Sequence, residues 1–176
     1  MSPIDENRKF ISVNIAVLTI SDSRTLEEDK SGNFLVQSVT DLGHSMCNRQ
    51  IIKDEVSIIK KTILSWSNNN NIDVIITSGG TGLTGRDSTP EAINAIADKI
   101  IDGFGELFRQ ISFKKIGTST IQSRALGAVI NGTYVFSLPG SPNACKDAWE
   151  EILKFQLDFR YRPCNIIEIM PRLSEK

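Results

Sequence analysis

A glycine-rich segment, residues 78–91, carries the clearest chemical signal in this sequence. Glycines recur at positions 79, 80, 82 and 85. Because glycine has no Cβ, the backbone N–H groups of such a segment can turn inward and approach an anion closely. The segment runs into Thr89-Pro90, a cap-plus-proline pair that predicts a helix N-terminus, where free N–H groups favour phosphate. The pattern predicts a phosphate site, and a tight turn without a ligand is the alternative.

Two carboxylates accompany this segment. Asp87 lies between the glycines and the expected helix, and Asp54 follows another apolar stretch. A carboxylate beside a phosphate is repulsive unless a cation bridges them, and Mg²⁺ binds one or two carboxylates together with substrate phosphates. Asp54 and Asp87 are therefore the predicted catalytic and metal-binding residues. The alternatives are a helix N-cap for Asp54 and a loop-ordering acceptor for Asp87.

Several other chemistries do not fit the residues. A Walker A loop needs a lysine after its glycines, and none follows here. Residues 80–85 match G-x-G-x-x-G, but the next 20 residues have the pattern of one helix, without the strand that a dinucleotide fold requires. His44 is the only histidine, which disfavours a Ser-His-Asp triad or a zinc centre. It follows Gly43 and is expected at the surface.

The elements that must position these residues alternate between strand and helix. Apolar runs predict strands at 13–20, 45–52, 74–77, 125–130 and 133–138, and helical periodicity predicts helices at 31–42, 55–66, 90–101, 103–113 and 144–159. Ser31, Asp54, Thr89 and Ser141 are the expected N-caps. Asn131-Gly132 is a strong hairpin signal. The alternation predicts an α/β fold in three layers, with a doubly wound, mostly parallel sheet and a small antiparallel hairpin.

Ligands of open α/β sheets bind outside the carboxyl ends of the strands. The segments that follow the predicted strands are rich in small, hydroxylated or acidic residues. The candidate substrate-binding residues are Ser21, Asp22, Ser78, Gly79, Gly80, Thr81, Gly82, Thr89, Glu91, Ser123, Pro139, Gly140, Ser141 and Asn143. Arg124, just before the hairpin, could meet either a phosphate or a carboxylate.

The length of 176 residues fits one domain, expected at 13–165 between a flexible N-terminal tail (1–12) and a C-terminal tail (166–176). The formal net charge is −1 and the basic residues are scattered, so no nucleic-acid partner is predicted. No apolar run has the length of a membrane span. Cys47, Cys145 and Cys164 are widely spaced, which predicts three buried thiols in the cytoplasm.

Together these motifs resemble the MoaB/Mog family of molybdenum cofactor biosynthesis proteins. The core of the resemblance is Ser78-Gly79-Gly80-Thr81-Gly82 followed by Arg86-Asp87 and Thr89-Pro90-Glu91-Ala92. The other matching motifs are Thr19-Ile20-Ser21-Asp22-Ser23, Ser31-Gly32, Asp54-Glu55, Ser123-Arg124-Ala125 and Leu138-Pro139-Gly140-Ser141-Pro142. The similarity covers about residues 13–165, in the expected order.

The resemblance implies adenylylation of molybdopterin by ATP and Mg²⁺, with release of pyrophosphate before metal insertion. It implies that Asp54 and Asp87 are the catalytic and magnesium-handling positions. It also implies a homotrimer or homohexamer and a partner in the molybdenum-insertion machinery. ATP and molybdopterin are then the substrates, and Mg²⁺ is the cofactor.

The chain departs from the Mog pattern at three places. Lys53 and Gly85 stand where many Mog-type sequences have proline, and residues 160–165 resemble the B branch of the family. The alternative function is therefore a non-catalytic molybdopterin-binding or scaffolding protein of that branch. A third interpretation is another phosphate-ligand enzyme that shares only the fold.

Overall fold

A computed structural model describes residues 4–175, and six strands form one sheet in the order β2-β1-β3-β6-β5-β4. The strands are β1 (Asn14–Ile20), β2 (Ser45–Ile52), β3 (Val74–Ser78), β4 (Lys99–Ile101), β5 (Leu126–Ile130) and β6 (Thr133–Leu138). The β1–β2, β1–β3 and β3–β6 pairs are parallel, whereas β5 pairs antiparallel with both β6 and β4. The predicted fold class is confirmed.

Helices cover both faces of this sheet. They are α1 (Lys30–Leu42), α2 (Val56–Ser67), α3 (Thr89–Asn94), α4 (Asp102–Ile116), α5 (Pro142–Ala148), α6 (Lys154–Gln156) and α7 (Ile166–Ile169). A 3-10 helix (Gly117–Gln122) follows α4, a π-helical segment (Trp149–Leu153) joins α5 to α6, and a 3-10 turn (Met170–Arg172) follows α7. The predicted final helix is thus one helical stretch with a π-helical centre.

Alternating strand residues supply two separate apolar cores. Ile15 and Val17 of β1 pack with α1, α4 and α5, whereas Ala16 and Leu18 pack with α2 and α3. Successive strand side chains point to opposite faces, so a strand covered on both sides is apolar throughout. This is why continuous apolar runs identified the central strands correctly.

The hairpin and the fourth strand had different outcomes. The hairpin is confirmed: Asn131 and Gly132 both have positive φ, at 51° and 76°, as a two-residue turn of the I′ type requires. The helix predicted at 90–101 is wrong, because α3 ends at Asn94 and Lys99–Ile101 instead pairs with β5 as an edge strand. The free edge of β5 supplies hydrogen-bond partners that the local sequence pattern does not reveal.

Three predicted helix caps are corrected by the structure. Asp29, not Ser31, caps α1, and its carboxylate accepts a hydrogen bond from Gly32 N. Glu55 precedes α2, and the Asp54 side chain instead contacts Ser88. Thr89 is the first residue of α3 rather than its cap. The Ser141 cap is confirmed, since its Oγ accepts from Ala144 N.

The residues before β1 contact the domain. Ile4 bridges to Tyr161, and the Arg8 guanidinium lies 3.7 Å from the centroid of the Phe159 ring. His44 is 5% exposed and packs on Phe10, so its expected surface position is wrong. The flexibility of residues 1–12 and the tail at 166–176 stay predictions; Met1–Pro3 and Lys176 lie outside the described residues.

Two cysteine predictions also need correction. Cys145 is buried as expected, but Cys47 and Cys164 are exposed. Cys47 lies on β2, an edge strand whose outer residues face solvent. Within residues 4–175, no helix is both long and apolar enough to cross a membrane.

Candidate functional site

The carboxyl ends of β1, β3 and β6 converge on the first glycines of the loop that follows β3. Gly79 has φ of 103°, and a Cβ there would lie 2.2 Å from the Ile20 carbonyl oxygen. Gly79 N donates to Leu138 O at 3.0 Å. A Cβ on Gly140 would lie 3.2 Å from the Gly79 Cα. Glycine is therefore required for this close approach of three chain segments.

Asp54 and Asp87 both border this loop. One oxygen of Asp54 accepts from Ser88 N and Oγ, at 3.1 and 2.6 Å, and its other oxygen would lie 2.5 Å from a Cβ on Gly80. One oxygen of Asp87 accepts from Thr84 N and Oγ1, at 2.9 and 2.6 Å. The Thr84 hydroxyl, opposed by partial burial, lowers the pKa of Asp87. Asp87 is therefore ionised at neutral pH.

Arg124 fixes the opposite side of the same loop. Its Nε donates to Gly82 O at 2.8 Å and its Nη2 donates to Asp87 O at 2.9 Å. Its Nη1 pairs with Glu91, and this contact is the largest cause of the lowered pKa of Glu91. Arg124 was expected to meet either a phosphate or a carboxylate. In the structure it contacts a carboxylate and loop carbonyls. The arginine orders the loop from outside the cavity.

A cavity of about 580 Å³ opens at these strand ends. Twelve predicted site residues line it: Ser21, Asp22, Asp54, Gly79, Gly80, Thr81, Gly82, Asp87, Ser123, Pro139, Gly140 and Ser141. The two carboxylates, the glycine loop and the ends of β1 and β6 therefore face one space. Topology alone was sufficient to bring them together.

Four predicted substrate-binding residues do not line this cavity. Ser78 and Thr89 are fully buried, and the Thr89 hydroxyl donates to Gly79 O at 3.0 Å. Glu91 turns toward Arg124, and Asn143 is exposed on the first turn of α5. Of the two helices that begin with a cap-plus-proline pair, α5 lines the cavity through Ser141 and Ala144, whereas no residue of α3 does.

One wall of the cavity was missed by the sequence reasoning. It consists of residues from α4 and the 3-10 helix after it: Phe108, Ser112, Ile116, Ser119, Thr120 and Gln122. The hydroxyl group of Thr120 is buried without a hydrogen-bond partner in the described structure. The only sequence signal was the run Thr118-Ser119-Thr120, which is rich in hydroxyl groups for a segment next to a helix.

A buried acid beside the cavity was also missed. Asp29 is fully buried, and its carboxylate accepts from Thr19 Oγ1 at 2.6 Å. Arg49 Nη2 lies 3.4 Å from it, and Arg24 Nη1 lies 3.9 Å away. A buried carboxylate needs such partners, since an unpaired charge is costly to bury. Of this group, Arg24 lines the cavity.

The remaining charges at the rim form a pair. Arg86 Nη2 donates to Asp22 at 2.6 Å, and this bond is the main reason that the pKa of Asp22 is lowered. Both side chains are largely exposed, at 65% and 43%. The other oxygen of Asp22 accepts from Asp54 N at 3.2 Å. The rim pair therefore also orders the backbone that carries Asp54.

The donor set suits a magnesium ion that is shared with a substrate. Within residues 4–175, no three His, Cys, Asp or Glu side chains gather in a group that could hold a metal ion. Two carboxylates beside a glycine-rich loop instead match the way Mg²⁺ binds, with few protein ligands and the rest from phosphate and water. Asp54 and Asp87 would hold such an ion.

Comparison with known proteins decides the family. The family described as a probable molybdopterin binding domain matches residues 16–158. The chain belongs to this molybdopterin-binding family. Molybdenum cofactor biosynthesis protein B of Escherichia coli (strain K12) is 45% identical over 157 residues, which cover 89% of this chain and 92% of the relative.

Two solved structures of the family have the same fold. The crystal structure of a molybdenum cofactor biosynthesis protein B is 38% identical, with a TM-score of 0.86 over 96% of this chain and 100% of that one. The tungsten cofactor synthesizing protein MoaB from Pyrococcus furiosus is 35% identical, with a TM-score of 0.71 over 80% and 90%. The resemblance to the MoaB/Mog family is confirmed.

Proposed function

We propose that this chain adenylylates molybdopterin, with ATP as donor, Mg²⁺ as cofactor and pyrophosphate as product. Its membership of the family assigns it to molybdenum cofactor biosynthesis. The observation that carries the finer proposal is a single cavity lined by the glycine loop, Asp54 and Asp87. A cytoplasmic location, a homotrimer or homohexamer, and transfer of the product to the molybdenum-insertion machinery belong to the same proposal.

The reaction needs alignment more than proton transfer. The nucleophile would be the terminal phosphate of molybdopterin, whose second pKa is about 6, so it is ionised at neutral pH. It would attack the α-phosphorus of ATP, form a new P–O bond and release pyrophosphate. No general base is required, which suits a cavity wall without histidine among the described residues. Catalysis then comes from positioning and charge neutralisation.

Each predicted catalytic group has a local support. Ser88 fixes Asp54, Thr84 fixes Asp87, and Arg124 holds the loop between them. Asp54 and Asp87 would hold Mg²⁺, which would supply positive charge to neutralise the substrate phosphates. The backbone N–H groups of Gly80 and Thr81 would bind phosphate oxygens, and the wall from α4 and the 3-10 helix would contact the pterin.

The test is an assay with molybdopterin, ATP and Mg²⁺. We expect adenylylated product and pyrophosphate from the native chain. Asp87→Ala should lower turnover by about 100-fold or more, the scale expected for loss of a charge-stabilising group. Its circular dichroism should stay native. Asp41→Ala, an exposed carboxylate on α1, is the matched control and should be fully active. Native turnover in Asp87→Ala would contradict the metal-binding role.

The second candidate is a molybdopterin-binding or scaffolding protein without catalysis. Two observations favour it: the relatives and the P. furiosus structure carry the B-branch name, and Lys53 and Gly85 depart from the Mog pattern. It predicts saturable molybdopterin binding with no pyrophosphate release. Equilibrium binding measured alongside the assay therefore separates the two candidates.

A further inference from the structure

Arg24 is a cation on the inner wall of the cavity. Most of its N–H groups take no part in the contacts described above. Its Nη2 donates to Gly140 O at 3.0 Å, and its side chain is 34% exposed. A guanidinium has five N–H donors in a planar fork that matches phosphate oxygens. An arginine needed only to hold Gly140 would be redundant, because Ser31 Oγ already donates to the same carbonyl at 2.8 Å.

The buried acid Asp29 holds this arginine in place. Its carboxylate is anchored on β1 by Thr19, on α1 by Gly32 and on β2 by Arg49. Arg24 Nη1 lies 3.9 Å from the same carboxylate. The acid is therefore a rigid counter-charge at the end of the sheet. The charge of Asp29 and the hydrogen bond to Gly140 O together keep the guanidinium at this wall before any ligand arrives, which reduces the entropy lost on binding.

The other charges around the cavity indicate a specific role for Arg24. Five charged residues line the wall, namely Asp22, Arg24, Asp54, Arg86 and Asp87. Arg86 is paired with Asp22 at the rim, and Arg124 bonds to the loop from outside the cavity. Two phosphorylated substrates would add further negative charge to a wall that already carries Asp54 and Asp87. Arg24 is the cation placed to meet it.

We infer that Arg24 binds the terminal phosphate of the pterin substrate, and that Asp29 is its positioning residue. This inference rests on the proposed function. Arg24 contacts Gly140, which packs on Gly79, whereas Asp54 and Asp87 lie against Gly80 and Gly82, further along the loop. Asp54 and Asp87 would hold a metal whose charge would neutralise the ATP phosphates. The Arg24 side is left for the attacking phosphate, which a positive charge can hold in line.

The test compares Arg24→Gln with Arg49→Gln. Both variants remove one arginine from Asp29, but Arg49 does not line the cavity. Binding is measured anaerobically with molybdopterin, with molybdopterin dephosphorylated by alkaline phosphatase, and with Mg·ATP. We expect Arg24→Gln to weaken molybdopterin binding by about 10- to 100-fold, the loss of a charge-assisted hydrogen bond. Mg·ATP binding and binding of the dephosphorylated pterin should change less than twofold.

The control and the kinetics make the outcome decisive. Arg49→Gln should lower thermal stability, and it should reduce the preference for the phosphorylated pterin less than Arg24→Gln does, because Arg49 acts on Arg24 only through Asp29. In turnover, Arg24→Gln should raise KM for molybdopterin and leave KM for ATP unchanged. Equal losses in the two variants, or a loss confined to Mg·ATP, would overturn the inference. If the native chain binds molybdopterin through Arg24 but makes no product, the proposed function fails and this inference survives.

Discussion

At the residue scale, two glycines of one loop differ in whether the structure has room for a side chain. Gly80 has φ of 64°, and a Cβ there would lie 2.3 Å from Thr89 Oγ1 and 2.5 Å from Asp54 Oδ2. A Cβ on Gly85 would have no neighbour within 4 Å, and Gly85 does not have a positive φ. The loop glycines are therefore not equivalent, although the sequence presents them as one run.

We expect Gly80→Ala to lower the free energy of unfolding by at least about 1 kcal/mol, because a left-handed backbone is costly with a Cβ. It should also weaken the binding of Mg·ATP, since the new methyl displaces Asp54. Gly85→Ala is the control and should stay within about 0.5 kcal/mol of the native chain. Urea unfolding and calorimetric binding are the measurements. A well-folded Gly80→Ala with native affinity would contradict the cradle geometry.

The sequence predicted where a residue lies when a local rule determined its position. Gly79, Gly80 and Asp87 follow a strand end, and the topology then brings them to the cavity. The sequence did not predict the contact that a side chain makes when two partners were possible. Glu91 was expected at the substrate, but Arg124, distant in sequence, pairs with it. This pair forms only when the fold brings the segment before the hairpin against the loop.

At the element scale, α4 supplies a wall of the cavity and packs tightly against β5. A Cβ on Gly105 would lie 2.6 Å from the Ala125 carbonyl oxygen. Gly103, two residues earlier on the same helix, is exposed and has nothing within 4 Å of that position. The helix therefore needs one of these glycines for packing and not the other.

We predict opposite signs for the two alanine substitutions. Gly103→Ala should raise stability by up to about 1 kcal/mol, because alanine has the higher helix propensity. Gly105→Ala should lower stability by about 1–3 kcal/mol, because the methyl must push α4 away from the Ala125 backbone. Thermal and urea unfolding would show the difference. Destabilisation of equal size in both variants would mean that α4 does not pack as described.

Element prediction from sequence was accurate for the central strands and poor at the edge. Apolar runs define β1 and β3 because they are covered on both faces. β4 was concealed, since Ile96 and Ile100 continue the helical spacing of α3. The cavity wall on α4 depends on how two elements pack, and a single helix pattern does not contain that information.

At the scale of the whole molecule, His44 couples the N-terminal residues to the domain. Its Nδ1 accepts from Val13 N at 3.3 Å, and its ring packs on Phe10. Burial lowers the pKa of His44 from 6.5 to about 4, against an opposing effect of Asp158. The neutral ring is therefore the form that the folded chain accommodates.

This depressed pKa predicts a loss of stability in acid. The contribution is complete above pH 6.5, where the ring is neutral in both folded and unfolded chains, and is lost as the pH falls toward about 4. Between pH 7 and 5 the loss should be about 2 kcal/mol. The His44→Gln side chain does not titrate, so over this interval the free energy of unfolding of the variant should fall by about 2 kcal/mol less than that of the native chain. Urea unfolding of both chains at the two pH values gives the comparison. An equal fall in the free energy of unfolding of the two chains would contradict the assignment.

The strand order has a consequence for the growing polypeptide on the ribosome. β6 lies between β3 and β5, and Ser78 pairs with Leu138 across 60 positions of sequence. Until residue 138 has been synthesised, one side of β3 is an open strand edge, which can pair with other chains. A fragment that stops earlier carries the glycine loop and both acids, yet Gly140 is not there to complete the pocket. Truncated translation products should therefore be aggregation-prone and unable to retain the substrate.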